Sequence, residues 1–119
     1  MRYMFLIYSG ERGDGPQVDM EDLKQRHWAL IDEATSKGVL EAAEPLYPAS
    51  TATTVRQQDG KPLVIDGPFA ETKEQLAGYY IIECKDLDEA IGWAKKIPSG
   101  CKGAERCVEI RPILGLPPR

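Results

Sequence analysis

Tyr3-Met4-Phe5-Leu6-Ile7-Tyr8 and Tyr79-Tyr80-Ile81-Ile82 decide the fold. Each is a continuous apolar and aromatic run, and such runs read as strands buried on both faces. Each is followed by a helical pattern. After the first, a loop rich in Gly and charge spans Ser9 to Gln17, and Asp19 precedes a stripe of Leu23, His27, Leu30, Ile31 and Ala34 at helical spacing. Gly38, just after Lys37, is a good helix stop. After the second run, which extends from Ala77 to Cys84, Asp86 with Glu89 forms a capping box. Leu87, Ala90, Ile91, Ala94 and Ile97 are the buried stripe expected for this helix, with Trp93 off it and Pro98 and Gly100 ending it.

Between these halves, Val39 to Ala43 is a short strand. Thr51 to Gln57 is rich in β-branched residues, and Asp59-Gly60 is a hairpin turn signal that returns the chain through Pro62 to Asp66. Ala70 to Gln75 is short, polar and helix-compatible. Val108 to Ile113 alternates apolar and charged residues, which marks a strand with one wet face. Leu114 to Arg119 is a Pro-rich tail. The order predicts an α+β fold of one domain over residues 1–119, with two ferredoxin-like β-α-β repeats and an inserted β-hairpin. Helices cover one sheet face. The apolar strands call for a cover on the other face too, and one short domain has no further layer. This predicts a homodimer with two sheets packed face to face.

At 119 residues there is no room for a second domain. Hydrophobic residues at 42% and charged residues at 29% are globular values. The net charge of −4 argues against nucleic acid as a partner. No run approaches the roughly 20 apolar residues that cross a bilayer, so no membrane is expected. Met1 to Tyr8 is too short for a signal peptide, which makes the cytoplasm the expected location. Cys84, Cys101 and Cys107 are odd in number and lack metal-ligand spacing, so neither disulfides nor a metal site is expected, and Cys84 reads as core. Phosphate-binding glycine loops and a Gly-x-Ser-x-Gly elbow are absent, which speaks against a cofactor and against covalent hydrolysis.

Asp66-Gly67-Pro68-Phe69-Ala70-Glu71-Thr72-Lys73-Glu74, followed by Gly78-Tyr79-Tyr80, resembles the signature of DGPF-domain proteins of the YCII-related superfamily. The Met1-Arg2-Tyr3-Met4 opening, the helix capped at Asp86 and the Val108-Glu109-Ile110-Arg111-Pro112 close extend the resemblance over nearly the whole chain. It implies a dimeric α+β-barrel. It also implies a regulatory setting, since many such proteins are encoded beside extracytoplasmic-function sigma factors. Distant YCII-like members are regarded as enzymes that use a His and an Asp in a cleft, one type removing chloride from an aromatic ring. His27 matches the family's His, eleven residues before Gly38. The position of the Asp, nine residues after the His, holds Ser36, so an acid from elsewhere, such as Asp66, would have to complete a dyad.

The catalytic candidates are therefore His27, the only histidine, as general base and Asp66 as its acid. Against these stand a structural histidine bonded to a backbone carbonyl and an Asp that serves its own turn. Gly67 would supply a backbone shape there. The ligand-binding candidates are Trp28, Arg56, Phe69, Glu71, Lys73, Glu109 and Arg111. Trp28 would wall the cleft beside His27, and Phe69 would plug the core or the dimer interface. Glu71 and Lys73 form either a solvated charged patch or part of the cleft. Glu109 and Arg111 share one face of the last strand, where they either pair as a salt bridge or line a polar cavity. Arg111 and Arg56 are suited to clamping a carboxylate or phosphate. Three functions follow: a dimeric small-molecule-binding or sensing module tied to sigma-factor regulation, a cofactor-free lyase or isomerase of a small, aromatic-type acid, and a structural dimer with a protein partner.

Overall fold

The computed structural model describes residues 1–10, 20–72, 74–98 and 106–119. Strand β1 (Arg2–Gly10) is apolar on both sides and lies inside the main sheet. It pairs antiparallel with β5 (Glu74–Glu83) along one edge and with β6 (Arg106–Pro112) along the other. β2 (Leu40–Pro45) adds to the far side of β5, giving the sheet order β2-β5-β1-β6. Helix α1 (Met20–Ser36) joins β1 to β2, and α2 (Leu87–Lys96) joins β5 to β6. This is the ferredoxin-like arrangement that the repeated strand-helix pattern predicts.

Successive side chains of a strand point to opposite faces. Tyr3, Phe5 and Ile7 of β1, with Tyr80, Ile82 and Cys84 of β5, are buried with Leu30 and Ala34 of α1 and Ala90 and Trp93 of α2. Val108 and Ile110 of β6 pack against the same cluster. The other sheet face presents Met4, Leu6, Tyr8, Tyr79 and Ile81, which are only half-buried in the single chain, and no described element covers it.

Three details depart from the expectations. The segment Ala70–Gln75 forms no helix, because β5 already begins at Glu74, where Glu74, Gln75 and Leu76 pair with Gly10, Ser9 and Tyr8. Ladder hydrogen bonds with β1 outweigh a weak local preference. In α2 the buried stripe is rotated: Trp93 is 6% exposed, while Leu87 and Ile91 are exposed. The Nζ atoms of Lys37 and Lys96 lie 5.3 Å and 4.9 Å from the Trp93 ring centre, and Lys96 also grips Glu33 of α1 at 2.9 Å. These cations ride over the ring and hold α2 against α1. Phe69 is 81% exposed, so it does not plug the core; in the single chain nothing described covers it. The Asp19 helix start and Cys101 lie outside the described residues.

The inserted hairpin forms as expected, β3 (Thr53–Gln58) against β4 (Lys61–Asp66), turning through Asp59 and Gly60 with φ of 53° and 76°. It is a separate two-stranded sheet. Gly67 closes it at φ 102°, with its N–H donating to Ala52 O at 2.7 Å and its carbonyl accepting from Thr54 Oγ1 at 2.8 Å. A side chain would be strained at that φ, which is the backbone role read for Gly67. The Asp86 side chain caps α2 by accepting from Glu89 N at 2.9 Å.

Gly78 sits where β5 runs tightest against β2. A Cβ there would stand 2.8 Å from Glu44 O and 3.2 Å from Pro45 Cα, both backbone atoms of a paired strand. Gly78→Ala is therefore expected to destabilise the fold by about 1–3 kcal/mol, as overpacking does. Urea denaturation of the two proteins measures it, and equal midpoints would show that the strands part without cost.

Candidate functional site

His27 lies on the sheet-facing side of α1, one turn before Leu30 and Ile31. Tyr80 rises from β5 directly beneath it and is 3% exposed. His27 Nδ1 and Tyr80 Oη are 2.6 Å apart, and the rings stack at 5.9 Å with a 27° angle between planes. Burial pushes the tyrosine up to about 12, so its hydroxyl keeps its proton at neutral pH. Burial also lowers the His27 pKa below its usual 6.5, and the positive charges of Arg106 and Arg26 lower it further. Both rings are thus neutral near pH 7.

Which group donates in this bond depends on the His27 tautomer. Tyr80 is 3% exposed and has no other acceptor among the described residues, which favours the tautomer with the lone pair on Nδ1 and the N–H on Nε2. No described residue hydrogen-bonds to Nε2.

Arg106 opens β6, and its side chain projects to the helix-covered face by the same alternation as Val108 and Ile110. Its Nη1 donates to Pro98 O at 3.2 Å, just past the end of α2. Its Nε is buried and has no hydrogen-bond partner among the described residues. A buried N–H without an acceptor costs free energy and is rare. The helix-covered layer therefore holds a neutral imidazole bonded to Tyr80 through Nδ1, and a guanidinium whose Nε has no partner among the described residues.

The other residues singled out in the sequence lie elsewhere. Asp66, at the end of β4, is exposed and pairs across the hairpin with Thr53, with no bond to His27. Arg56 is exposed on the same hairpin, and Glu71 is exposed after it. Lys73 lies outside the described residues. Trp28 is exposed on the outer side of α1 although it adjoins His27. Glu109 and Arg111 stand on the open sheet face, paired at 3.9 Å in solvent. Tyr80 and Arg106 are the residues that sequence reasoning missed. Counting back by twos from Ile110 and Val108 puts Arg106 on the apolar face, and that parity was the available signal.

Two shallow grooves lie on the helical side. One of about 300 Å³ runs between Arg26, Leu30, Glu33, Lys96 and Pro98, above the carbonyl that Arg106 binds. The other, about 430 Å³, is lined by Lys37, Glu89 and Trp93. Neither is lined by His27 or Tyr80. Among the described residues no three His, Cys, Asp or Glu side chains gather as metal ligands, and no helix is long and apolar enough to cross a membrane.

The buried imidazole makes stability depend on pH. The folded chain holds His27 below its unfolded value of about 6.5, so the unfolded chain binds the proton more readily. Stability is expected to be level above about pH 7, to fall as pH drops below 6.5, and to level again once the folded pKa is passed. Thermal melts of the wild type and His27→Gln between pH 5 and 8 check this, because the slope should vanish in the variant. The same slope in both proteins would place its origin elsewhere.

A family model for the YCII-related domain matches residues 1–114. An uncharacterized protein of Rhizobium meliloti (strain 1021) is 43% identical over 115 residues, which is 95% of this chain and 92% of that protein. With the family match spanning both β-α-β halves and the hairpin between them, the chain belongs to the YCII-related family.

Proposed function

We propose that this protein is a homodimeric binding module for a small organic acid, held by His27 and Arg106 on the helix-covered face of the sheet. The observation that carries this reading is the spare donor set. Arg106 Nε is buried without a partner among the described residues, and with Tyr80 donating to Nδ1 the His27 proton sits on Nε2 in this reading. A carboxylate accepts from both, and its charge balances the guanidinium. An N–H at Nε2 makes His27 a donor there, which favours binding over proton abstraction. The absence of a carboxylate bonded to His27 among the described residues supports the same preference. The homodimer is supported by the uncovered apolar sheet face. A module that reports an acid through dimer contacts suits the sigma-factor setting that the DGPF resemblance implies.

The lyase or isomerase reading keeps one supporting observation: His27 is unprotonated near neutral pH, as a general base requires. It needs the opposite tautomer, with the lone pair at Nε2.

Titration with benzoate, with benzamide as the uncharged control, tests the binding reading. Benzoate at up to about 10 mM is expected to shift the His27 ring signals saturably and to raise the melting temperature, whereas benzamide does neither. Arg106→Gln should weaken benzoate binding at least about tenfold, the loss of one charge-assisted contact. Equal responses to the acid and the amide, or full binding by the variant, would overturn a charge-reading site.

A further inference from the structure

The groove of about 300 Å³ between α1 and the end of α2 shares walls with the donors described above. Pro98 lines it, and the Pro98 carbonyl accepts from Arg106 Nη1 at 3.2 Å, so the guanidinium stands directly behind that wall. Leu30 lines it one turn after His27. Arg26, the residue before His27, lines it as well. Ala29, Leu30 and Pro98 supply an apolar surface, and a space of this volume is at the small end of ligand sites.

The cations of the groove are not equally committed. Lys96 Nζ is gripped by both carboxylate oxygens of Glu33, at 3.1 Å and 2.9 Å. Arg26 reaches Asp22 only at 3.9 Å, four residues back on an exposed stretch of helix, and such a pair contributes little. Arg26 and Arg106 both lower the His27 pKa, and no acid opposes them there among the described residues. Two guanidinium groups thus act on one imidazole from separate elements, Arg26 on α1 and Arg106 on β6.

We infer that the acid bound by His27 and Arg106 is a diacid, with its body in this groove and its second carboxylate held by Arg26. The inference rests on the binding function proposed above and names the ligand class of that site. The first carboxylate satisfies the donors of Arg106 and His27 and balances one guanidinium. The second takes the planar fork of Arg26, which matches a carboxylate in bidentate fashion. An apolar spacer between the two lies against Ala29, Leu30 and Pro98. The Arg26 side chain is 54% exposed, so it turns from Asp22 to a ligand without stranding a buried charge.

Phthalate, isophthalate and terephthalate, each titrated against benzoate through the His27 ring signals, test the diacid. The wild type is expected to bind at least one of them about tenfold or more tightly than benzoate, the gain from one added charge-assisted contact. In Arg26→Gln that preference is expected to shrink to within about twofold. Lys61→Gln, which removes one positive charge from the separate hairpin, is expected to keep it. Benzoate binding with no tenfold gain for any diacid overturns the inference and leaves the acid-binding function standing. A preference that survives Arg26→Gln, or that Lys61→Gln abolishes too, overturns it as well. No binding of any of these acids up to about 10 mM overturns both readings. Should Arg26→Gln fail to fold by circular dichroism, nuclear Overhauser contacts in the wild-type complex decide. The bound ring is expected to contact the methyl groups of Ala29 and Leu30, and a bound ring without those contacts overturns the placement.

Discussion

The pairing of β1 with β5 is the constraint on which the rest of the molecule depends. It sets Phe5 beside Tyr80 and Tyr3 beside Ile82, so the largest side chains of both halves share one face. That face gives α1 and α2 their seat and excludes water from the layer between. Once Tyr80 is locked into the apolar layer, its hydroxyl cannot reach solvent, and burying a hydroxyl without a partner costs about 1–3 kcal/mol. His27 supplies the partner. The position of one imidazole on α1 thereby follows from the register of two strands.

The electrostatics follow from the same packing. The apolar layer disfavours a second positive charge near Arg106, and His27 responds by staying neutral. Arg106 in turn is only partly satisfied by the Pro98 carbonyl. In the function proposed above, a neutral donor beside a fixed cation rewards a single negative charge and gives a neutral molecule little. Asp66, the acid expected from the sequence as the partner of His27, is exposed and belongs to the hairpin rather than to the helix-covered layer.

The two β-α-β halves, the Asp59-Gly60 hairpin and the Asp86 cap were legible in the sequence because each depends on neighbours a few residues away. The burial of Trp93 is not legible locally, because the core cluster it joins and the Lys37 that lies over its ring come from elements distant in sequence. The strand start at Glu74 was missed for the same reason, since only the β1 partner makes that segment extended. Of the site, His27 was found as the lone histidine on an apolar stripe. Tyr80 was hidden because every residue of a continuous apolar strand looks like core. Arg106 was hidden because it sits at a strand boundary, where local patterns fix the ends least well.

The central claim is that Tyr80 fixes His27 as a neutral imidazole with its proton on Nε2. Nitrogen-15 NMR of the single histidine, recorded across pH, measures tautomer and pKa together. The account requires the Nε2-protonated tautomer near pH 7 and a pKa below 6.5. A proton on Nδ1, or a pKa above 6.5, would contradict it, the first by leaving Nε2 as a base and the second by requiring a negative partner for His27.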